Sequence, residues 1–560
     1  MFDVKKIRRD FPILSSRVNG VPLVYLDNAA TTQKPRAVLD ALTRFYQRHN
    51  SNVHRGAHAL ATLATQDFEN ARQSVANFIG SSSTENVIWT RGATESANLI
   101  ASSYADSILQ KGDTLLISTL EHHANIVPWQ QAASRKQAHV IPIPILATGE
   151  IDQAAYTQLL KQHKPRIVCL THVSNALGVI TPLESMIPQA KSAGATVVID
   201  GSQAIAHLPI DVESLGCDFY FFSGHKCYGP TGIGVLWGRK TLLEAMPPWQ
   251  CGGEMIKQVS FNGTTFAGIP HRFEAGTPPI ADAIGFAAAI QYLQTLDRPA
   301  IAAYEATLRE HALKELRTLP NIVIYAESAS NVGILSFRFN DLQNQDVAML
   351  LDQSGIAIRS GHHCAMPLME ALGCGGTLRA SFAFYNTLEE VSSFCQALRL
   401  AVAMLREGSS TSRSTESHGQ EPHFITPLSF TELQTTLTSF IDWQSRFNYL
   451  MSLGDQLPPL PMMFRTPAHH VTGCEANVWL VSEQLTDNHW RFAIDSDSRL
   501  IKGIAYLLLA GIQGQAKNDI QSFEITGLLE QCKLDHYLTP TRTNGIRAIL
   551  SRIQEEICSK

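Results

Sequence analysis

The chain has 560 residues, which is too many for one ordinary domain and enough for two or three. Apolar residues make up 44% of it and charged residues 17%, a composition that excludes a disordered protein. Its formal net charge of -5 excludes the strongly basic surface that would predict binding to nucleic acid or to an anionic membrane.

The N-terminal segment, residues 1–10, is charged, and the apolar core of a signal peptide does not follow it. No apolar run approaches the roughly 18 residues that a membrane-spanning helix needs. The ten cysteines show neither a disulfide-like spacing nor a C-x-x-C pair, a pattern typical of reduced thiols. We therefore predict a cytoplasmic protein without a metal site.

Between residue 23 and about residue 290, short apolar runs alternate with longer segments of 3.6-residue periodicity. Strands that alternate with helices predict crossover units and a mostly parallel sheet covered on both faces. We expect this large α/β domain to span about residues 15–290. The strand-like runs lie at 86–90, 114–118, 167–171, 196–200, 219–222 and 234–237, and the clearest helical patterns at 62–78 and 94–109.

After about residue 290 the pattern changes to that of a smaller α+β domain, which we expect to combine the N-terminal segment with about residues 291–406. Its predicted elements are a helix at 300–319, strands at 322–325 and 332–339, and a helix at 347–354. A Ser/Thr-rich stretch at 407–424 predicts a flexible linker. Residues 425–560, which begin with a helical pattern at 428–450, predict a separate α+β domain.

Lys226 follows a buried apolar run in a glycine-rich turn, Ser223-Gly224-His225-Lys226-Cys227-Tyr228-Gly229. A lysine at such a bend can project its amine into a pocket, where burial favours the neutral, nucleophilic form that a Schiff-base lysine needs. The alternative is an ordinary surface lysine in a turn. Side chains elsewhere in the sequence favour the first interpretation.

Several of these side chains stand at the ends of other predicted strands. Asp200 ends the run at 196–200, where a fixed anion could keep a pyridinium nitrogen protonated, although an aspartate there can also cap a helix. Asn175 and the pair His122-His123 follow two further strands. A histidine at such a position can stack on an aromatic ring, bind a metal or serve only the loop.

The segment Arg91-Gly92-Ala93-Thr94 follows the strand at 86–90 and opens a helical pattern, where free amides can bind a phosphate or simply begin the helix. Ser223 and His225 could supply further phosphate donors. An acid, an amide, a histidine, a phosphate-binding turn and a lysine at five strand ends fit pyridoxal phosphate better than any other cofactor.

These motifs closely resemble the class V aminotransferase group of fold-type I pyridoxal-phosphate enzymes, and within it the Suf-type (group II) cysteine desulfurases. The resemblance runs from residue 1 to about 405 and is carried by Ser223–Lys226, Asp200-x-x-Gln203 and the segments 120–129 and 171–175. It implies that pyridoxal phosphate is the cofactor and Lys226 the Schiff-base lysine. The other roles that it implies are as follows: Asp200 pairs with the pyridine nitrogen, Gln203 and Asn175 bind the ring oxygen, His123 stacks on the ring, and Ala93, Thr94, Ser223 and His225 hold the phosphate.

The segment Arg272-Phe-Glu-Ala-Gly-Thr277 matches the part of this family in which a threonine reaches the phosphate of the partner subunit. The resemblance therefore implies a homodimer with composite sites, to which Thr277 contributes.

A second motif is Arg359-Ser-Gly-His362-His363-Cys364-Ala365, in which a cysteine in a glycine-containing turn stands beside histidines and an arginine. Such surroundings favour the thiolate over the thiol. A metal site is the less favoured alternative, because three adjacent residues rarely converge on one ion. By the family resemblance, Cys364 is the persulfide cysteine, and Arg379 binds the substrate carboxylate, with Arg359 and Asn175 as further substrate-binding residues.

The resemblance implies that L-cysteine is converted to L-alanine and that its sulfur is captured as a persulfide on Cys364. A selenocysteine lyase acting on L-selenocysteine, or another pyridoxal-phosphate β-lyase or aminotransferase, would use most of the same site. A sulfur-carrier scaffold without activity is disfavoured, because every expected cofactor residue is present. Two departures from the family pattern, Cys227 and Cys374, are expected to be packing residues.

The C-terminal domain places Cys474 after a glycine at the start of an apolar segment, in Val471-Thr-Gly-Cys474. Residues 425–560 resemble the SufE-type sulfur acceptor, in which the matching cysteine receives sulfur, and Asp495, Asp497 and Arg542 would shape its loop. A tethered acceptor implies a relay from Cys364 to Cys474, because a linker of about 17 residues spans on the order of 20–25 Å. The expected final acceptors are iron–sulfur scaffold proteins of the SufBCD type.

Overall fold

The computed structural model describes residues 3–407, 421–473, 476–485, 488–534 and 540–559. The chain folds into two compact units. The first unit contains Met1–Arg338 and Gly355–Cys395, and the second contains Phe339–Ser354 and Gln396–Lys560.

The strands before residue 407 form the sheets of the first unit. In chain order they are β1 (Arg17–Val18), β2 (Val21–Pro22), β3 (Val24–Tyr25), β4 (Val87–Thr90), β5 (Thr114–Ser118), β6 (His139–Ile143), β7 (Ile167–Thr171), β8 (Thr196–Asp200), β9 (Phe219–Ser223), β10 (Gly234–Gly238), β11 (Ile256–Ser260), β12 (Gly263–Phe266), β13 (Ile322–Tyr325), β14 (Ile334–Phe339), β15 (Ile356–Ala357), β16 (Arg359–Gly361) and β17 (Thr377–Ser381).

Helices alternate with these strands over the same range. In chain order they are α1 (Val4–Arg8), α2 (Arg36–Arg44), α3 (Ala59–Phe78), α4 (Ala93–Leu99), α5 (Asp106–Ile108), α6 (Val127–Lys136), α7 (Gln153–His163), α8 (Leu183–Ser192), α9 (Ala204–His207), α10 (Val212–Leu215), α11 (Lys240–Ala245), α12 (Ile280–Gln294), α13 (Arg298–Leu316), α14 (Asn344–Gln353), α15 (Met366–Ala371) and α16 (Leu388–Glu407).

A seven-stranded sheet in the order β4-β10-β9-β8-β7-β5-β6 forms the centre of the first unit. Its strands pair in parallel from β6 to β9, while β10 is antiparallel to both β9 and β4. The predicted mostly parallel sheet is therefore confirmed, with β10 as the exception. Because successive side chains of a strand point to opposite faces, Phe219 and Phe221 enter one buried cluster and Tyr220 and Phe222 the other, so both faces are covered.

The pairing of β10 brings several strand ends to one edge of this sheet. Gly234, the first residue of β10, lies opposite Thr90 at the end of β4 and Ser223 at the end of β9. Asp200 at the end of β8 pairs in register with Thr171 at the end of β7 and with Phe221. Ligands of open α/β sheets bind at this kind of edge.

A second, four-stranded sheet in the order β13-β14-β17-β16 lies in the same unit. Its central strand β17 carries Arg379, which is opposite Ser336 of β14 and Arg359 of β16. Two sequence predictions need adjustment. The helix predicted at 94–109 is α4, then a π-helical segment Ile100–Ala105, then α5, and the strand predicted at 332–339 begins at Ile334.

The C-terminal part of the chain is an α+β arrangement within the second unit. Its elements are α17 (Phe430–Ser439), α18 (Trp443–Gly454), β18 (Val478–Gln484), β19 (Trp490–Ser496), α19 (Arg499–Ile512), α20 (Lys517–Gln521), α21 (Ile525–Gln531) and α22 (Pro540–Ser559). The single helical pattern predicted at 428–450 is two helices, because the Asp442 side chain accepts a hydrogen bond from the Ser445 amide and begins α18 anew.

The apolar α19 packs closely on α18 and is anchored to an earlier part of the chain. A Cβ at Gly503 of α19 would lie 2.2 Å from the Leu450 carbonyl oxygen of α18, so only glycine permits this approach. At the start of α19, the Ser498 hydroxyl and the Arg499 amide donate to the two carboxylate oxygens of buried Asp346 in α14, at 2.8 and 3.1 Å. These contacts place Phe339–Ser354 in the second unit. None of the described helices is long and apolar enough to cross a membrane.

Candidate active site

One pocket of the first unit collects most of the side chains that the sequence predicted for the site. Its volume is about 210 Å³. It lies at the sheet edge where β4, β7, β8 and β9 end. The predicted residues in its wall are Ala93, Thr94, Asn175, Asp200, Ser223, His225, Lys226, Arg359, Cys364 and Arg379.

Lys226 is the last residue of a single 3-10 turn, Gly224–Lys226, that follows β9. Burial lowers the pKa of its amine below the ordinary value for lysine. The positive charges of Arg379 and Arg359 act in the same direction, whereas Asp200 and Cys364 oppose the change. The neutral amine, which is the nucleophilic and proton-accepting form, is therefore easier to reach than in water.

Asp200 is buried at the end of β8, and one of its carboxylate oxygens accepts a hydrogen bond of 2.8 Å from the Ser202 amide. Burial raises the pKa of this carboxyl group, while the hydrogen bond from the Ser202 amide and the charge of Lys226 oppose the rise. An anion held in a dry site in this way is suited to pair with a protonated ring nitrogen.

The predicted phosphate corner is built by the close approach of two backbones. The Ala93 amide donates to the Ser223 hydroxyl at 2.8 Å. A Cβ on Gly234 would lie 2.4 Å from the Cα of Gly92, so a side chain at this position would separate β10 from the start of α4. Thr94 and His225 complete the corner in the pocket wall.

The two histidines of the predicted pair differ in their placement. His122 lies in the pocket wall, whereas His123 does not. The His123 ring accepts a hydrogen bond from the Met366 amide at 3.0 Å and lies 5.6 Å from the ring of His362. A 3-10 turn begins at His123, and the planes of the two rings are inclined to each other by 49°. Burial, and then the charge of Lys226, lower the pKa of His122 to about 3, so its imidazole is neutral at ordinary pH.

Gln203 is hydrogen-bonded to a segment near the N-terminus. Its amide nitrogen donates to the Ala29 carbonyl at 2.7 Å, and the residue is not part of the pocket wall. Ser202, one residue earlier, lines the pocket instead. Its hydroxyl is buried and has no hydrogen-bond partner among the described residues. Ser202 was not predicted from the sequence, although its position between Asp200 and Gln203 was a usable signal.

Cys364 lies in a loop with unusual backbone conformation. His363 and Cys364 both have positive φ angles, 52° and 54°, which non-glycine residues rarely adopt. Two hydrogen bonds hold the loop. The side-chain amide of Asn175 donates to the His363 carbonyl at 2.7 Å, and the backbone amide of His123 donates to the Cys364 carbonyl at 2.7 Å. Strain of this kind persists where the surroundings fix it, and it is common at functional sites.

Arg379 extends from β17 into the same pocket and is buried. Its guanidinium donates to the Asn175 carbonyl at 2.8 Å and to a carboxylate oxygen of Asp27 at 3.0 Å. The Nε of Arg379 has no hydrogen-bond partner in the part of the chain that the structure describes. Asp27, which orients the arginine, was not predicted from the sequence.

A second buried acid was also missed. Glu121, next to His122, accepts hydrogen bonds from the Ser118 hydroxyl, from the Thr171 amide at 2.6 Å and from the Asn125 amide at 2.7 Å. Burial raises the pKa of Glu121 to about 8, despite these hydrogen bonds.

The other predicted residues lie away from this pocket or outside the described part of the chain. Thr277 lines a separate cavity with Arg91 and Glu95. In the second unit, Asp495 bonds to Arg465 at 2.7 Å, and Asp497 accepts bonds from Asn477 at 2.7 and 3.0 Å. Cys474 and the side chain of Arg542 lie outside the described residues.

The two cysteines that depart from the family pattern differ in burial. Cys227 is fully buried, and its thiol contacts the Ile205 carbonyl at 3.8 Å; Cys374 is half-buried and lies 3.9 Å from the sulfur of Met369. Among the described residues, no three His, Cys, Asp or Glu side chains form a group that could hold a metal ion.

Two family models match the chain, one over each part. Residues 24–394 match the class V aminotransferase family, and residues 431–557 match the SufE family, described as an Fe-S metabolism associated domain.

The relatives that match the first 400 or so residues are described as cysteine desulfurases. A probable cysteine desulfurase of Vibrio cholerae is 52% identical over 405 residues, which are 72% of this chain and all of that protein. A cysteine desulfurase of Pectobacterium atrosepticum is 46% identical over 71% of this chain and 98% of its own length. That of Synechococcus elongatus is 47% identical over 71% of this chain but only 63% of its own length.

Solved structures agree with these relatives. The cysteine desulfurase CsdA of Escherichia coli has a TM-score of 0.67 and 40% identity, and the match covers 72% of this chain and 99% of that one. A cysteine desulfurase of Thermococcus onnurineus has the same TM-score at 37% identity, covering 71% and 98%. The alternative of a selenocysteine lyase or another β-lyase is not favoured by these matches.

Proposed function

This chain belongs to the class V aminotransferase family and carries a SufE domain after it, and we propose that Lys226, Cys364 and Cys474 carry out successive steps of its sulfur transfer. The enzyme is a pyridoxal-phosphate-dependent cysteine desulfurase that mobilises sulfur for iron–sulfur metabolism. The observation that carries the residue assignment is the presence of Lys226, Asp200, Arg379 and Cys364 in the wall of one pocket.

The pocket fits this cofactor by the chemistry of its wall. The buried Ser202 hydroxyl and the Arg379 Nε have no hydrogen-bond partner among the described residues, so both can donate to a ligand. Ala93, Thr94 and Ser223 meet in one corner of the pocket wall, where amide and hydroxyl groups could bind a phosphate. Bound there, pyridoxal phosphate supplies an electrophilic carbon for the substrate amine and a ring that accepts electrons.

We assign the holding residues accordingly. Lys226 would hold the cofactor covalently, Asp200 would pair with its ring nitrogen, and Ser223, Thr94 and His225 would bind its phosphate. His123 would stack on the cofactor ring, as the family resemblance implies, and the histidine in the pocket wall beside it is His122. With its pKa near 3, it acts as a neutral imidazole and not as a cation.

The substrate carboxylate binds Arg379. Asp27 and the Asn175 carbonyl hold two of the guanidinium nitrogens and leave the third free of any described partner. Arg359, in the same wall, adds positive charge. A planar guanidinium fixed in this way orients the amino acid so that its Cα proton faces Lys226, whose lowered pKa lets it accept and return that proton.

The sulfur step belongs to Cys364. Its thiolate attacks the sulfur of L-cysteine, the S–S bond forms as the carbon–sulfur bond breaks, and the pair of electrons from that bond remains on the carbon fragment. Protons replace the lost sulfur on carbon, so that L-alanine leaves and a persulfide stays on Cys364. The carbon is reduced by the electrons that the sulfur gives up, and no external oxidant or reductant is needed.

We further propose that the Cys474 thiolate attacks the outer sulfur of the Cys364 persulfide, so that a new S–S bond forms on Cys474, the old one breaks and Cys364 leaves as a thiolate. The sulfur would then pass to scaffold proteins of the SufBCD type. Asp495 and Asp497 are expected to shape the acceptor loop, as Arg542 is. The supporting observation is the SufE match over 431–557. The domain boundaries at residues 406 and 425 and a cytoplasmic location are part of this proposal.

A homodimer is also proposed. Thr277 lines a different cavity from Lys226 within the same chain, as expected if it contributes to the partner's site. Crosslinking of mixed subunits and restoration of activity between a Lys226→Ala chain and a Thr277→Ala chain would test this arrangement. If mixed dimers had no more activity than either parent, the composite site would be wrong.

The relay is tested by mass spectrometry after a short exposure to L-cysteine. We expect added sulfur on Cys364 first and on Cys474 later. Cys364→Ser should remove both signals, Cys474→Ser only the second, and the matched control Cys374→Ser neither. Sulfur that appeared on Cys474 in the Cys364→Ser variant would overturn the assignment.

A further inference from the structure

A four-residue segment near the N-terminus, Thr31–Lys34, holds the backbone next to Lys226; we call it the strap. The carbonyl oxygen of His225, the residue before the lysine, accepts hydrogen bonds from four strap donors. They are the Thr32 amide at 3.1 Å, the Thr31 hydroxyl at 3.1 Å, the Thr32 hydroxyl at 3.1 Å and the Lys34 ammonium at 2.9 Å.

The strap also holds the backbone on the other side of Lys226. The Tyr228 amide donates to the Thr32 hydroxyl at 2.8 Å, so one side-chain oxygen bridges residues 225 and 228. Tyr228 has a φ of 62°, a left-handed conformation that costs free energy in a bulky residue and persists only when its surroundings fix it. The Thr32 hydroxyl is a direct restraint on that conformation.

The lysine turn has few internal restraints of its own. It is a single 3-10 turn in which the Cys227 and Gly229 amides donate to the Gly224 carbonyl, at 2.9 and 3.0 Å. Such short turns have poorer hydrogen-bond geometry than an α-helix. The strap bonds therefore add to a turn that is weakly held by itself.

Further hydrogen bonds hold the strap and the residues just before it. Before it, the Ala29 carbonyl accepts a hydrogen bond from Gln203 at 2.7 Å. Within it, the Gln33 amide donates to the hydroxyl of buried Tyr385 at 3.0 Å. Thr32 is buried, and the Lys34 ammonium also donates to the Thr32 carbonyl at 2.6 Å. Neither Thr32 nor Lys34 lies in the wall of the active-site pocket.

We propose that the strap positions Lys226 for catalysis, with Thr32 and Lys34 as positioning residues that touch neither cofactor nor substrate. The inference rests on the proposed role of Lys226. Without the strap, the turn can relax the conformation of Tyr228 and rotate the lysine out of line with the substrate Cα. Substrate binding should change little, because the bonds that hold Arg379 go to Asp27 and to the Asn175 carbonyl and not to Thr32 or Lys34.

The test compares Thr32→Val, which removes the bridging hydroxyl, with Thr32→Ser, which keeps it. In Thr32→Val we expect amide hydrogen exchange at Tyr228 to accelerate about tenfold, because the Tyr228 amide loses one hydrogen bond. We expect kcat for alanine formation to fall about 10- to 100-fold through misplacement of the lysine, with KM changed by less than about twofold. Thr32→Ser should restore both values. Lys34→Met should reproduce the fall in kcat and provides the test should Thr32→Val fold poorly.

Two outcomes would overturn the inference. One is a Thr32→Val or Lys34→Met enzyme with unchanged kcat, and the other is a Thr32→Ser enzyme as impaired as Thr32→Val. Borohydride reduction and peptide mapping of the wild-type enzyme separate this from a failure of the proposed function. If the reduced cofactor is found on a residue other than Lys226, the proposed function is wrong. If it is found on Lys226 but the strap variants have an unchanged kcat, only the inference about the strap is wrong.

Discussion

The buried ion pair between Arg72 and Glu274 allows a quantitative prediction. Both side chains are almost fully buried, with 1% and 7% of their surfaces exposed. The guanidinium binds the carboxylate through two hydrogen bonds, of 2.6 and 2.9 Å. The same carboxylate accepts the Trp89 amide at 2.7 Å, so it joins α3, β4 and the segment that leads to Thr277. Burial by itself would lower the pKa of Arg72, but Glu274 and Glu69 outweigh it and raise that pKa.

We predict that Glu274→Gln lowers the free energy of unfolding of the desulfurase part by about 3–5 kcal/mol, because it leaves a buried guanidinium without its full counter-charge. The substituted amide also turns an N–H group toward one of the arginine donors. The matched control is Asp106→Asn, which breaks the paired hydrogen bonds to Arg135 at 3.1 Å in a pair whose side chains are 46% and 28% exposed. Its expected cost is below about 1 kcal/mol, since solvent screens such pairs.

Denaturant unfolding followed by the visible absorption of bound pyridoxal phosphate measures this part of the chain separately from the SufE domain. That separation matters because a two-domain chain need not unfold in one step. If Glu274→Gln costs no more than Asp106→Asn, burial does not control the strength of this pair, and the reasoning is wrong.

Three further predictions concern the site. Arg379→Lys should lower kcat/KM for L-cysteine about 30- to 150-fold in steady-state assays, because lysine lacks the planar fork and about 2–3 kcal/mol of charged hydrogen bonding is lost; an unchanged kcat/KM would contradict its role. Gly234→Ala should speed the release of pyridoxal phosphate, measured by absorption after dilution, since its Cβ would lie 2.4 Å from the Cα of Gly92. Equal release rates in the variant and the wild type would refute the role of this close approach in the phosphate corner. The folded pKa of Glu121 is above its unfolded value, so the stability that this residue contributes below pH 4.5 is lost as pH rises to about 8. Glu121→Gln should therefore gain stability relative to the wild type over that pH window, by up to a few kcal/mol. Parallel curves of stability against pH for the two proteins would contradict this.

The local patterns of the sequence predicted the architecture of the first unit. Alternating apolar runs and helical periods are enough to predict a parallel sheet covered on both faces, because each strand must bury both of its sides. Residues at strand ends are enough to predict a pocket at one edge, since parallel strands end together. Lys226, Asp200, Asn175 and Cys364 were all identified in this way or by family resemblance, and all four line the pocket.

The sequence could not distinguish neighbours that share a chemistry. His122 and His123 are adjacent and identical, and only the structure shows that His122 lies in the pocket wall. In the same way, Ser202 lies in the pocket wall and its neighbour Gln203 does not. A side chain's direction depends on backbone torsion angles that tertiary contacts set, and no local pattern records them.

Long-range supports were equally hidden. Asp27 holds Arg379 across 352 positions of the sequence, and Thr32 holds the Lys226 turn from nearly 200 positions away. Composition and spacing predicted an α/β domain with a lysine-containing pocket, and the family resemblance added the cysteine desulfurase activity and the sulfur acceptor domain. Only the tertiary structure decided which residues restrain those parts, because contacts between distant segments depend on how the whole sheet and its helices pack.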